Sequence, residues 1–166
     1  MSIVTSTNLS DRFHQGKVRD TYLVGESHLL MIATDRVSAF DIVLPTPIPE
    51  KGAILTQLSA FWFQLTRHIS NNHMVALASD PEFPDSLGQH RIFSELDGDL
   101  RRRSMLVKKA QRIDVECIVR GYLAGSAWAE YQTHGTIGQS PAPENLLEGS
   151  KLEVPLFTPT TKAEEG

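Results

Sequence analysis

Two short apolar and β-branched runs, Val18 to Val24 and Leu29 to Ala33, are separated by only the polar turn Gly25-Glu26-Ser27-His28. Parallel pairing would need a crossover of about a dozen residues or more, so a turn this short predicts an antiparallel hairpin. Its leading edge begins at Gly16-Lys17. The rest of the chain shows no regular alternation of strand and helix. From Leu55 the apolar residues fall at Leu58, Trp62, Leu65 and Ile69, a spacing that predicts an amphipathic helix ending near Asn71-Asn72, with Trp62 in its packing stripe. Phe61 and Phe63 read as packing residues beside it. The stretch from Asp80 to Gly98, rich in Pro, Asp, Gly and Ser, reads as a long excursion. Met105 to Val107 and Val115 to Val119 read as two more strands, with Gly121 and Gly125 punctuating the exit of the second. A short helix is expected from Ser126 to His134, with Trp128, Ala129 and Tyr131 among its packing residues. Pro141, Pro143, Pro155 and Pro159 leave the remainder extended or looped. This order predicts an α+β fold rather than a doubly wound sheet. Neither the dinucleotide-binding glycine pattern nor the P-loop motif occurs.

Composition narrows the classes further. A chain of 166 residues can bury an ordinary core without covalent staples. Its single Cys cannot form an internal disulfide or a paired-cysteine metal site, and its His residues lack zinc-ligand spacing, which fits a reducing cytoplasm. Cys117 itself reads as a small buried hydrophobe with no adjacent base. No secretory leader and no apolar run of about 18 residues is apparent, so a soluble, unexported protein is expected, with no membrane partner. The net charge of −4 argues against a general nucleic-acid binder, and Arg101, Arg102 and Arg103 read as a solvated basic face.

Four blocks concentrate chemistry. In Glu116 to Ser126, a strand delivers Arg120 to its end, glycines allow a tight turn, and Ser126 falls where a helix N-cap would sit. A forked guanidinium, a hydroxyl and free helix-start amides can hold a phosphate. A solvent-facing Arg before an ordinary strand-to-helix turn fits the same residues. Gly16-Lys17-Val18-Arg19-Asp20, at the hairpin mouth, can set backbone amides and an ammonium against a polyphosphate, or can be a turn with a solvated Lys. Asp35 to Asp41 carries two acids, an Arg and a Ser at a strand end, a density that calls for a ligand or for a self-satisfied loop network. Thr158 to Gly166 is by itself a frayed terminus.

Together these blocks resemble the phosphoribosylaminoimidazole-succinocarboxamide synthase (SAICAR synthetase) family. GKVRDTY, DRVSAFD, ILTQLSAFWF, VECIVRGYLAGS and FTPTTKAEEG stand in the family's order and spacing, with Asp114 where many relatives carry Pro. The resemblance implies a two-lobed fold: a small antiparallel-sheet ATP-binding lobe over residues 1–113, similar to those of protein kinases and ATP-grasp enzymes, and the start of a larger lobe over 114–166. It implies an ATP-dependent ligase of purine biosynthesis that joins L-aspartate to carboxyaminoimidazole ribotide. Gly16, Lys17, Val18 and Arg19 would cover the ATP phosphates, Lys108 would reach the nucleotide from below, and Glu116 would lie near the adenine. Arg120 and Ser126 would bind the ribotide 5′-phosphate. Ser38 and Asp41 would contact the imidazole substrate or aspartate, and Lys162 would help close the site. Mg2+ would be held mainly by carboxylates of a second half carrying a DFKLEFG-like motif, which this sequence lacks. The expectation is therefore an N-terminal part of the enzyme, inactive alone, marginally stable, and exposing Tyr122, Trp128 and Phe157. The alternatives are a nucleotide-binding module without catalysis and a structural or partner-binding domain. Neither catalytic residues nor metal ligands are assigned.

Overall fold

In a computed structural model that describes residues 3–81, 83 and 85–161, the expected hairpin lies at the centre of a five-stranded antiparallel sheet. The strands of that sheet are β1 (Arg12–Gln15), β2 (Arg19–Val24), β3 (His28–Ala33), β6 (Met74–Leu77) and β7 (Ser104–Lys108). A short ribbon, β4 (Ser38–Ala39) with β5 (Ile42–Val43), and helix α1 (Lys51–Leu65) lie between β3 and β6 in the chain. The order across the sheet is β1-β2-β3-β7-β6. His28 pairs with Val24, so it belongs to the strand and not to the turn. Gly16 and Lys17 belong to the turn between β1 and β2, a strand pair the apolar pattern does not announce because all four β1 residues are exposed.

Alternation along β3 gives the sheet two covered faces. Leu30 and Ile32 join Tyr22, Val24 and Leu106 on one side, while Leu29 and Met31 lie with Met105 and Val107 on the other. The first face is covered by Ile92, Phe93 and Leu96. The stretch from Asp80 to Gly98 is therefore not an excursion. It supplies core through α2 (Asp85–Gly88), a 3-10 turn (Arg91–Glu95) and the approach to α3 (Gly98–Arg102). Fully burying each such side chain is worth about 1.5–3 kcal/mol, which outweighs the local turn propensity.

Helix α1 covers the second face, but not with the expected stripe. Its buried residues are Gly52, Ala53, Thr56 and Ala60. Leu58, Leu65, Trp62 (53% exposed) and Ile69 (74%) face solvent, as does Phe61, while Phe63 is half-buried against the sheet. Small residues let the helix backbone approach closely. A Cβ at Gly52 would lie 2.2 Å from the Ala33 carbonyl oxygen and 2.7 Å from an Arg103 guanidinium nitrogen. Because the nearest obstacle is backbone, Gly52→Ala is expected to destabilise by about 1–3 kcal/mol or more, measured by urea unfolding. An unchanged midpoint would show that the helix can move away from β3 without loss.

Arg103 does not share a solvated face. It is fully buried, and its guanidinium donates to Asp35 at 2.8 Å. Arg101 is half-buried and donates to the Ala78 and Phe93 carbonyls, and Arg102 pairs with Glu50 and Asp99.

The chain divides into two compact units, Met1–Ala110 and Gln111–Gly166, where the sequence places the boundary after residue 113. In the second unit the expected Val115–Val119 strand breaks at Cys117-Ile118. β8 (Val115–Glu116) pairs with β13 (Thr160–Thr161), and β9 (Val119–Tyr122) pairs with β12 (Lys151–Phe157). Cys117 is exposed rather than buried, in a break between strands whose flanking residues Glu116 and Val119 are exposed as well. Gly121 lies inside β9 instead of ending it. Helix α4 (Ser126–His134) and the β10 (Thr136–Ile137) to β11 (Ser140–Pro141) hairpin complete the unit around Leu123, Ala127, Ile137 and Leu152. Trp128 packs on this cluster and stacks on Tyr131, so it is not part of an exposed patch, whereas Tyr122 and Phe157 are exposed.

Candidate functional site

Arg36 joins two of the sequence blocks in the first unit. Its guanidinium donates to the Gly16 and Lys17 carbonyls (each 2.9 Å), to the Thr5 carbonyl (2.6 Å) and to Asp20 (2.7 Å). Four acceptors around one planar cation fix the backbone of the Gly16–Asp20 loop. Burial raises the Asp20 pKa, but bonds from Arg36 and Thr7 outweigh it and hold the carboxyl below its ordinary range. Lys17 forms an ion pair with Asp41, at the tip of the β4–β5 ribbon. Phe40 and Asp41 both have positive φ there, 48° and 63°. Thus a residue expected on the nucleotide and one expected on the substrate pair with each other. Asp35 and Arg36 follow the self-satisfied alternative, and Ser38 is half-buried on β4.

Beside this loop lies a cavity of about 310 Å3, with Val18, Met31, Ala33, Phe63 and Met105 among its apolar walls and Arg19, Lys51 and His73 among its polar ones. Apolar walls with cations among them suit a flat heteroaromatic ring attached to anionic groups. Burial pushes the Lys51 ammonium below its usual pKa, opposed by Asp35 and aided by Arg19. Burial, then Arg19, also lowers His73, whose ring meets Phe63 edge-on at 5.1 Å. Of the residues expected on the nucleotide, Val18 and Arg19 line the cavity and Gly16 and Lys17 form the adjoining turn. Lys108 is exposed at the end of β7 and lines no described cavity wall, and Glu116 lies on β8 in the second unit. Lys51 and His73 are absent from the sequence expectation. The apolar pattern begins only at Leu55, so the place of Lys51 as the first residue of α1 is known from the structure.

The second unit holds a cavity of about 340 Å3 lined by Arg120, Ser126, Ala127, Glu130, Gly138, Gln139 and Thr158 to Thr160. Arg120 is anchored at three points. Nε donates to the Thr158 hydroxyl (2.9 Å), one terminal nitrogen to the Ala124 carbonyl (3.2 Å) and the other to the Ser126 hydroxyl (2.9 Å). Ser126 is the first helical residue and not the cap. Gly125 is the cap, with φ 61° and ψ −134°, a backbone state that a side chain would strain, and no side chain caps the helix. The Trp128 amide turns back to the Gly125 carbonyl at 3.0 Å, so among the described residues the Ser126 and Ala127 amides of the first turn are the ones left for an external acceptor. Having accepted from Arg120, Ser126 Oγ keeps its own proton to donate. Cation, hydroxyl and amides thus converge on one concave surface.

The SAICAR synthetase family model matches residues 12–166. The chain belongs to the SAICAR synthetase family. It is 53% identical over 99% of its length to the phosphoribosylaminoimidazole-succinocarboxamide synthase of Thermodesulfovibrio yellowstonii and covers 54% of that protein. To the synthase of Nitrosomonas europaea it is 47% identical over 98% of its length, covering 52% of it. The chain spans about half the length of the curated relatives it matches. The solved SAICAR synthase from Saccharomyces cerevisiae complexed with SAICAR superimposes with a TM-score of 0.82, at 40% identity, over 97% of this chain and 55% of that one. These likenesses bear out the family resemblance and the α+β SAICAR synthetase fold.

Sequence motifs of the SAICAR synthetase family lead to Arg120 and Ser126 but not to Glu130. Its carboxylate accepts from the Gln139 amide (2.8 Å), the Thr136 hydroxyl (2.7 Å) and the Gly138 amide (3.0 Å). The Gln139 amide first, then the Thr136 hydroxyl, hold its carboxyl below the usual glutamate range. An acid eight residues before a Gly-Gln hairpin turn is the signal, weak in sequence because acids on helices are common. Lys162 lies outside the described residues.

Proposed function

We propose that this chain forms part of an ATP-dependent ligase that joins L-aspartate to carboxyaminoimidazole ribotide in purine biosynthesis in the cytoplasm. The observation that carries the reading is the anchored Arg120 beside Ser126 and the uncapped start of α4, a phosphate-sized cluster of donors in a chain of this family. There the ribotide 5′-phosphate binds. The adenine of ATP fills the Val18, Ala33 and Met105 cavity, with Arg19 and Lys51 toward the phosphates. Phosphoryl transfer from ATP to the ribotide carboxylate gives an acyl phosphate and ADP. The aspartate amine then attacks the acyl carbon, phosphate leaves, and the amine loses a proton. This chain's residues bind and orient, which is most of what such a transfer asks of a protein.

Magnesium would screen the ATP phosphates in this chemistry. Among the described residues no three His, Cys, Asp or Glu side chains converge into a metal-ion cluster, and no magnesium ligand is assigned to them. The second reading is a binding unit without turnover. Among the described residues no helix is long and apolar enough to cross a membrane.

Titration calorimetry of the chain with ATP, and separately with ribose 5-phosphate, tests the reading. Both are expected to bind, at separate sites and additively. A chain that binds neither would be an interaction domain on an inherited fold. Phosphate release on adding ribotide, aspartate, ATP and magnesium would decide for the ligase over the binding unit.

A further inference from the structure

Three hydrogen bonds engage the Glu130 carboxylate, and what they tie it to is the wall behind Arg120. The two-residue loop of the β10–β11 hairpin, Gly138-Gln139, has positive φ at both residues, 58° and 65°. A left-handed pair is the geometry of a tight hairpin turn, and Gln139 adopts it against its own preference. The Glu130 carboxylate accepts both turn amides and the Thr136 hydroxyl that precedes them. On its far side the turn runs close to Thr158: a Cβ added at Gly138 would lie 2.9 Å from the Thr158 Cγ2 methyl, so only glycine fits there. Thr158 is buried, its amide donates to the Ile118 carbonyl at 2.8 Å, and its hydroxyl is the acceptor for Arg120 Nε.

Resting on the reading of Arg120 and Ser126 as a phosphate site, we propose that Glu130 is a positioning residue for that site, setting the direction of the Arg120 guanidinium through the Gly138-Gln139 turn and Thr158. Glu130 pins the turn, the turn seats the Thr158 methyl, and the seated Thr158 presents its hydroxyl to Nε. Ser126 and Ala124 then fix the rotation of the guanidinium about that bond. A guanidinium held in this way meets a phosphate without first losing side-chain freedom. The carboxylate also lines the cavity, and its three donors disperse the charge that would otherwise repel the anion.

The test uses the full chain and compares E130A, G138A, T158S and the pair G138A/T158S. One readout is ribose 5-phosphate affinity, with ATP affinity beside it. The other is solvent exchange of the Arg120 Nε–H, followed by nitrogen-resolved NMR. E130A is expected to weaken ribose 5-phosphate about tenfold or more, to speed Nε–H exchange and to leave ATP affinity unchanged. G138A should do the same by pushing on Thr158, and T158S in that background should recover both readouts, since it keeps the hydroxyl and removes the methyl in the way. If E130A fails to fold, the G138A and T158S pair decides. Weakened binding with unchanged Nε–H exchange would place Glu130 directly on the ligand and overturn the proposal. Unchanged affinity in E130A would overturn it too. Should the unaltered chain not bind ribose 5-phosphate, the phosphate reading falls, while Nε–H exchange still shows whether Glu130 directs Arg120.

Discussion

Arg103→Leu is expected to cost about 3–5 kcal/mol of folding stability, because it removes one partner of an ion pair whose two side chains are both fully buried. The carboxylate left behind would keep the Val4 and Gly52 amides, each at 2.9 Å, but would lose its hydrogen-bonded cation, with only the charge of Lys51 acting on it from farther off. Those amides belong to the chain before β1 and to the start of α1, so the loss spreads to both. Urea unfolding measures it. Adding Asp35→Asn should recover part of the loss, since it removes the orphaned charge, and the double variant should lose less than the two single ones summed. Strict additivity would show that the pair is not coupled. Acid sensitivity gives a second readout. Burial raises the Asp35 pKa, but the Val4 and Gly52 amides and Arg103 outweigh it and leave it below the ordinary 3.8. A folded pKa below the unfolded one means that the unfolded chain takes up the proton first. Stability from this group therefore holds down to about pH 5 and drains away as pH falls toward the folded value. Without Arg103 the folded pKa rises toward or past the unfolded one, so the acid-dependent loss contributed by Asp35 should shrink or vanish.

That pair also shows what sequence reading misses. Asp35 and Arg103 are far apart in the chain, and nothing near Arg103 marks it as anything but the last of three basic residues. Helix α1 misleads for a different reason. Large apolar side chains dominate any periodicity, so Leu58, Trp62 and Leu65 set the apparent stripe, while the face that packs is Gly52, Ala53, Thr56 and Ala60. Close packing selects small residues, and small residues carry little apolar signal. The β2–β3 hairpin is legible because its turn is short and its alternation is carried by large side chains. Arg120 and Ser126 are legible because strand end, glycine turn and helix start follow one another directly. The Ser126 hydroxyl has a different task from the one its position suggests, since the cap is Gly125, whose backbone state few other residues adopt. In sequence, Gly16 to Asp20 and Asp35 to Asp41 read as separate ligand contacts. Arg36 and the Lys17–Asp41 pair show them to be one interlocked loop system, a relation visible only after folding.

Arg120→Ala is expected to lower ribose 5-phosphate affinity about thirtyfold or more, on the order of 2–5 kcal/mol, the cost of removing one partner of a hydrogen-bonded charge pair. ATP affinity should not move, because Arg120 is not among the residues that line the Val18 and Arg19 cavity. Stability should change by about 1 kcal/mol, since Ala124 and Ser126 can turn to water once the guanidinium is gone, while the buried Thr158 hydroxyl loses one partner and keeps the Ile118 carbonyl at 3.4 Å. Arg120→Lys separates charge from geometry. An ammonium restores the positive charge but cannot hold Thr158, Ala124 and Ser126 at once, so it should recover only part of the affinity. Full recovery by Lys would mean that charge alone matters and that the three-point anchoring of Arg120 is incidental. Equal losses for ATP and ribose 5-phosphate would mean that Arg120 does not serve a site of its own. If the affinities separate as expected, the anchoring contacts rather than net charge set recognition of the phosphate, and the hydroxyls of Thr158 and Ser126 become the next positions where weakening should appear.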